Sequence, residues 1–309
     1  MSSLQASAFS LLPTVAVTGA AGFIGRRVVA RLGLAGARVV GIDRKEMPAD
    51  WPAGAVYRRL ELGGDMPRPD GDWILVHLAW SMDRGDEVAQ AASVMDFARL
   101  LGQEGLVGAV GLGSAEEYGE RSGCLKESQA PGAHLSAYGR AKHLASRAIR
   151  AWAKVSGKPA VWLRPFVAYG PGQQGRMAIP YALQCARERR PADFSEGLQM
   201  RDLVHVDDVA DAIVRAAQRL PEWDGVQAVC NLGRGEPVRL RDVLERVAVR
   251  TGAVDLFRYG TRSMREHEPM VQVADVSEAE RLLGWRAQIS WEQGIDHLCA
   301  EPGEKDRHA

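Results

Sequence analysis

Thr18-Gly-Ala-Ala-Gly-Phe-Ile-Gly25 is the stretch that decides the fold. It follows a short β-type run, residues 14–18, and leads into a run over 23–34 that reads as a helix. Gly19, Gly22 and Gly25 recur every third residue. A tight strand-to-helix turn needs a residue free of Cβ restraint. Bare backbone at a helix N-terminus offers N–H groups and the positive end of the dipole to a pyrophosphate. The last glycine lets helix and strand pack closely, and Gly19, Gly22, Phe23, Ile24 and Gly25 are the expected cofactor-binding residues of the loop. A glycine-rich turn alone says little; with a strand before it and a helix after it, it reads as a dinucleotide-binding loop. Asp43 closes the next β-type run, 38–42. A carboxylate there can accept both ribose hydroxyls of an adenosine and repels a 2′-phosphate, which favours NAD. Arg44 and Lys45 follow at once and could instead embrace a 2′-phosphate, so NADP stays open at this stage.

Outward from the loop, β-type runs alternate with helical ones: 55–60, 73–79, 107–112 and 159–164 against 85–103 and 137–155. This alternation predicts an α/β fold, a doubly wound parallel sheet with helices on both faces. The second half is less regular. Pro171, Gly172 and Gly175 mark a loop before a helix over 177–190. A helix over 207–219 starts on Asp207 and Asp208, good first-turn residues. A strand over 226–232 and helices over 239–251 and 277–283 follow, the last with Ser277 as its expected N-cap. Residues 301–309 are polar. No Pro/Ser-rich linker separates two halves. The expected division is a dinucleotide-binding part, 1–168, and a smaller substrate-binding region, 169–309, interwoven so that 203–232 returns to the sheet.

Composition sets limits. The chain has 309 residues, 46% of them apolar, which favours a packed core over disorder. A formal net charge of zero gives no broad drive toward nucleic acid or anionic membranes. Cys124, Cys185, Cys230 and Cys299 are scattered, with no CxxC or Cys/His cluster, so neither a metal site nor a disulfide framework is expected, and free thiols fit a reducing cytoplasm. An apolar patch over 4–12 has no basic stretch before it and is not expected to be a signal peptide; no run of apolar residues is long enough to span a membrane.

Tyr138 and Lys142 are four apart in Tyr-Gly-Arg-Ala-Lys, which on a helix puts both on one face. An ammonium there is expected to stabilise a phenolate and pull the phenol down toward neutrality, so that it can move a proton as a hydride is transferred. Ser114, just past the 107–112 strand, lies where ligands sit in open α/β sheets and could bond the reacting oxygen.

With these motifs the chain resembles the extended short-chain dehydrogenase/reductase family, in its branch acting on nucleotide sugars. The resemblance rests on Thr18–Gly25, Val76-His-Leu-Ala79, Gly113-Ser114 with Tyr118-Gly119, Tyr138 with Lys142, Arg164-Pro-Phe166 through Tyr169-Gly-Pro171, Arg201-Asp-Leu-Val-His-Val-Asp-Asp208, Asn231-Leu-Gly233 and Leu283-Gly-Trp285. It implies a Rossmann-type sheet, NAD as cofactor, and Tyr138 as general acid/base. It further implies that Lys142 bonds the nicotinamide ribose, Ser114 holds the sugar oxygen, and Leu78 and Ala79 line the cofactor. Phe166 through Pro171 would flank nicotinamide and substrate, and Arg201 and Arg265 would meet the diphosphate. It also implies a homodimer through helices near 85–103 and 137–155, with Val94, Phe97, Leu144 and Trp152 as apolar candidates. Two positions depart from the family pattern: Val167 replaces an Asn often found after the Phe, and Ser93 replaces another. Val167 and the Glu116–Glu117 pair lean toward an NDP-4-keto-hexose reductase with Glu116 and Val167 at the substrate. Asp43 leans toward an NDP-sugar 4-epimerase or dehydratase that regenerates bound NAD. A non-catalytic dinucleotide sensor is the rival of another class, opposed by the retention of Ser114, Tyr138 and Lys142.

Overall fold

The computed structural model describes residues 13–61, 68–174 and 177–301. The apolar patch over 4–12, Gly175 and the tail from 302 onward lie outside them. The first elements are β1 (Thr14–Thr18), α1 (Gly25–Leu34), β2 (Val39–Asp43), β3 (Val56–Arg59), β4 (Trp73–His77), α2 (Glu87–Leu101), β5 (Leu106–Leu112), β6 (Gly123–Leu125), α3 (Ala137–Ser156) and β7 (Ala160–Pro165). After them come β8 (Val167–Tyr169), α4 (Ala178–Arg187), β9 (Ala192–Asp193), β10 (Met200–His205), α5 (Val206–Arg219) and β11 (Gln227–Leu232). The chain then forms β12 (Pro237–Arg239), α6 (Leu240–Arg250), β13 (Phe257–Arg258), β14 (Val271–Ala274), α7 (Ser277–Leu283) and α8 (Trp291–Ala300).

Seven strands make one parallel sheet in the order β11-β7-β5-β4-β1-β2-β3. Side chains alternate across it. Val15 and Val17 of β1 join the core beneath α1 and α5 with Val28, Val29, Leu32, Val209 and Ile213. Ala16 between them joins the opposite core with Phe97, Leu100, Ala145 and Ile149 of α2 and α3. Both faces are covered, so the central strands β4, β5 and β7 are buried almost throughout and read as near-continuous apolar runs, while the edge strand β3 is largely exposed. Each fully buried Val, Leu or Ile contributes roughly 1.5–3 kcal/mol. The strand order reverses between β1 and β4, and ligands of open α/β sheets bind beyond the strand ends at such a point.

A second sheet, β12-β10-β14-β6 with β8 paired to β10, builds the C-terminal region with α4, α6 and α8 around Leu183, Val243, Leu244, Val247 and Ile295. The sequence reading did not find β6, β8, β10, β12, β14 or α8. It also placed the cap of α7 one residue too far along. Ser277 is the first helical residue, and the Asp275 carboxylate accepts from its N–H at 3.0 Å, doing the capping from outside the helix. No helix among the described residues is long and apolar enough to cross a membrane.

Candidate active site

The glycine loop shows why each glycine stands where it does. Gly19 has φ +68°, and a Cβ on it would lie 2.7 Å from the Ala79 nitrogen and 2.8 Å from the Leu78 carbonyl carbon. The chain leaving β4 thus presses against the loop through Leu78 and Ala79. Thr18 holds that contact: its hydroxyl meets His77 Nδ1 at 2.8 Å and accepts from the N–H groups of Leu78 and Ala79 at 3.2 and 3.3 Å. A Cβ on Gly22 would stand 3.0 Å from Gly19 O, and one on Gly25 would stand 2.1 Å from it, so α1 can approach the turn only with glycine there. The amides of Phe23 and Ile24 find no acceptor among the described residues. Two unsatisfied N–H groups on bare backbone at a helix N-terminus fit a pyrophosphate.

Asp43 stands at the tip of β2 beside this turn. One carboxylate oxygen accepts from Ala21 N–H and the other from Lys45 N–H, both at 3.0 Å. Each oxygen keeps a lone pair for a ribose hydroxyl. Arg44 turns outward, 74% exposed, toward Glu61 at 4.0 Å. These residues fit NAD.

Across the switch point, β5 delivers Ser114 and α3 delivers Tyr138 and Lys142. Ser136 caps α3, its hydroxyl accepting from Gly139 N–H at 3.0 Å and donating to Glu116 at 2.9 Å. A Cβ on Gly139 would lie 2.4 Å from Glu116 O, so the glycine of Tyr-Gly-Arg-Ala-Lys lets the helix start lie directly on the 115–118 turn. Tyr138 is thereby set beside Ser114, whose hydroxyl accepts from Glu116 N–H at 3.2 Å and acts to lower the phenol. Lys142, one turn on, is buried; its ammonium donates to Leu112 O at 2.6 Å and lies 3.7 Å from the Trp80 ring centroid.

The electrostatics depart from expectation. Lys142 does not pull the phenol down. Burial pushes Tyr138 up to about 12, with Arg84 and the Ser114 hydroxyl opposing. Lys142 itself is held down to about 7 by burial, with Glu117 opposing. The ammonium stands 5.7 Å from the phenol ring and spends a proton on Leu112 O, so desolvation outweighs attraction for both groups. The group that works to lower the phenol is Arg84, whose guanidinium lies 4.5 Å above the Tyr138 ring and pairs with Glu116. Arg84 escaped the sequence reading; it sits alone in the loop before α2 with no periodic signal.

Around these groups a buried network sets the site. Glu117 accepts from Trp162 Nε1 and Arg164 Nε, each at 2.8 Å, and from Ser114 N–H at 3.0 Å. Arg164 donates to the Tyr118 hydroxyl at 3.2 Å, which in turn bonds Asn231 Oδ1 at 2.8 Å. Ser93 fixes the loop after β4, accepting from Ser81 N–H at 3.2 Å. Phe166 is buried against Tyr118, ring centroids 6.2 Å apart. Val167 pairs with Leu203 and packs on the core of the C-terminal region. Arg201 is buried and paired with Glu268; burial holds its guanidinium below the usual range, with a smaller push in the same direction from the exposed Arg265. The two arginines are therefore brought together, with a carboxylate already on Arg201.

Comparison with known proteins agrees with this geometry. A UDP-glucose 4-epimerase of Rhizobium meliloti (strain 1021) is 29% identical over 310 residues, covering 89% of this chain and 92% of its own. A dTDP-L-rhamnose 4-epimerase of Burkholderia thailandensis is 33% identical over 170 residues, covering 53% of this chain and 45% of its own. Among solved structures, MoeE5 in complex with UDP-glucose and NAD superposes with a TM-score of 0.81 at 29% identity, covering 93% of this chain and 97% of its own. UDP-glucuronic acid 4-epimerase from Bacillus cereus, in complex with UDP-glucuronic acid and NAD, gives 0.81 at 25% identity, covering 93% and 98%. The model of the NAD dependent epimerase/dehydratase family matches residues 15–233, from β1 to just past β11. Since that span takes in every strand of the seven-stranded sheet, the glycine loop and the tyrosine helix, the chain belongs to the NAD dependent epimerase/dehydratase family.

Proposed function

We propose that the enzyme inverts or otherwise remodels the C4 centre of a nucleotide-linked hexose while keeping its NAD, in the manner of a 4-epimerase, and that it does so as a homodimer. The observation that carries the chemistry is the buried Tyr138 phenol, set beside Ser114 and followed one turn later by the buried Lys142. The sequence features that leaned toward a keto-sugar reductase lose their weight. Glu117 is consumed by Trp162, Arg164 and the Ser114 amide, Glu116 by Arg84 and Ser136, and Val167 by the core beside β8. The relatives that span most of the chain are UDP-glucose 4-epimerases.

NAD, held by the glycine loop and Asp43, would supply the hydride acceptor. Tyr138 takes the proton of the sugar hydroxyl and later returns it to the same oxygen. Ser114 orients that oxygen. Lys142 has ammonium protons left after Leu112 O for a ribose hydroxyl. Arg201 and Arg265 receive the diphosphate, which takes over from Glu268 as partner of Arg201. The exposed face of α2, with Val88 and Met95, is the proposed dimer surface.

The test is turnover of UDP-, dTDP-, GDP- and CDP-hexoses by the purified enzyme, read by product stereochemistry together with nicotinamide released on denaturation. The expected result is C4-inverted product from at least one of them without added cofactor, and a loss of about 10³-fold in kcat for Tyr138→Phe. NADH or NADPH consumed in step with product overturns the epimerase reading in favour of a reductase. Absence of both binding and turnover for all four nucleotides overturns the nucleotide-sugar reading.

A further inference from the structure

Glu120, His134 and His267 are far apart in sequence and meet at one point. Glu120 follows the turn that carries Tyr118. His134 precedes the cap of α3. His267 lies in the segment between β13 and β14. The two imidazole rings stack, centroids 3.8 Å apart and planes 9° from parallel. One oxygen of Glu120 faces both rings, 3.7 Å from His134 Nε2 and 3.7 Å from His267 Nδ1. Its other oxygen accepts from Ala133 N–H at 3.3 Å, which fixes the carboxylate's direction. One ligand atom from each residue lies within 4.8 Å of the others. His267 holds a left-handed backbone, φ 57°, which residues with a Cβ seldom adopt. Glu266 adds a second carboxylate, 3.5 Å from His267 Nε2.

We propose that Glu120, His134 and His267 form a binding site for a divalent transition-metal ion of the zinc type. Two imidazole nitrogens and one carboxylate oxygen are a donor set suited to zinc, whereas calcium and magnesium require mostly oxygen ligands. Zinc bonds of about 2.1 Å put tetrahedral ligand atoms roughly 3.4 Å apart, and imidazole lone pairs lie in the ring planes, so binding requires the two rings to leave their parallel stack and turn toward the ion as the ligand atoms close by a little over an ångström. Water completes the coordination. The ion is structural rather than catalytic. His267 lies between Arg265 and Glu268, the partner of Arg201, while Glu120 and His134 flank Tyr118 and the start of α3. Metal binding therefore pins the diphosphate-side segment to the tyrosine side.

The spacing hid this site: no two ligands are close enough in sequence to form a recognisable metal motif. The test uses the full chain with its affinity tag removed and metals stripped by chelator, titrated with zinc chloride by calorimetry near neutral pH. One zinc ion per chain with micromolar affinity is expected, weakened roughly tenfold or more in His134→Ala, His267→Ala and Glu120→Gln. His143→Ala and His297→Ala are expected to leave it unchanged. Thermal unfolding without metal checks that the variants fold. Lack of saturable binding, or binding that survives His267→Ala in a folded protein, overturns the proposal.

Discussion

Arg84 sits where a positive charge can be read out through Tyr138. It lies 4.5 Å above the phenol ring and is the largest influence lowering a phenol that burial pushes up to about 12. Removing it raises the phenol further. When Tyr138 acts as base, the rate rises with pH as the phenol ionises, so in Arg84→Ala that rising limb of kcat/KM moves to higher pH. At a fixed pH on the limb, the loss is on the order of tenfold, softened because Glu116 already neutralises part of the charge. A profile that keeps its shape and position while kcat/KM drops would assign Arg84 to binding alone. At this scale the legibility of the sequence is uneven for a physical reason. Tyr138 and Lys142 are readable because helix geometry converts a spacing of four into one face. Ser114 is readable because it ends a strand. Arg84, Glu120 and Glu268 act through partners that only the tertiary fold supplies, and no local spacing encodes them.

The elements tell the same story through β10. Of its six residues only Met200 escapes full burial, yet two are charged, Arg201 and Asp202. Those adjacent charges break both the alternation of a half-buried strand and the apolar run of a buried one, which is why β10 was missed while β1, β4 and β5 were found. Asp202 shows what holds the strand. It is fully buried and accepts from the N–H groups of Arg234, Gly235 and Ala274 at 2.7, 2.9 and 3.0 Å, tying β10 to the turn after β11 and to β14. Burial outweighs those three bonds and pushes its carboxyl up from 3.8 to about 6. The folded state therefore holds a proton that the unfolded state gives up across that window, and this contribution to stability fades as pH rises through it. A shift of about two units corresponds to roughly 3 kcal/mol. Asp202→Asn removes the titration. The stability advantage of the natural protein over this variant is expected to be larger near pH 4 than near pH 7, by up to roughly that amount, in denaturant unfolding followed by circular dichroism. An advantage that is constant or grows with pH would show that the carboxylate is held charged throughout.

At the scale of the molecule, the covering of the sheet leaves one face of α2 in question. Phe97, offered by the sequence as an interface residue, is buried in the core beneath the sheet, and Trp152 packs against the same core. Leu144 of α3 is 54% exposed, but its exposed neighbours Arg140 and Arg147 make that face polar. On α2 the exposed positions Val88, Ala91, Ala92, Met95 and Ala98 recur at three and four residues and carry small or apolar side chains, with the exposed charges Glu87 and Arg99 toward the two ends of the helix. A helix needs one apolar stripe to face its own core; α2 has a second, and small residues let another helix come close. A contiguous apolar stripe of this kind is the expected signature of an interaction surface. An isologous contact would place α2 of one protomer against α2 of the other. Light scattering on the eluting protein is therefore expected to give twice the chain mass of 33.6 kDa. Met95→Asp, alone or with Val88→Asp, is expected to yield a folded monomer, because desolvating a carboxylate at the centre of such a seam costs several kcal/mol while leaving the monomer's own core untouched. A natural protein that elutes as a monomer, or an aspartate variant that stays dimeric, would move the interface off this helix.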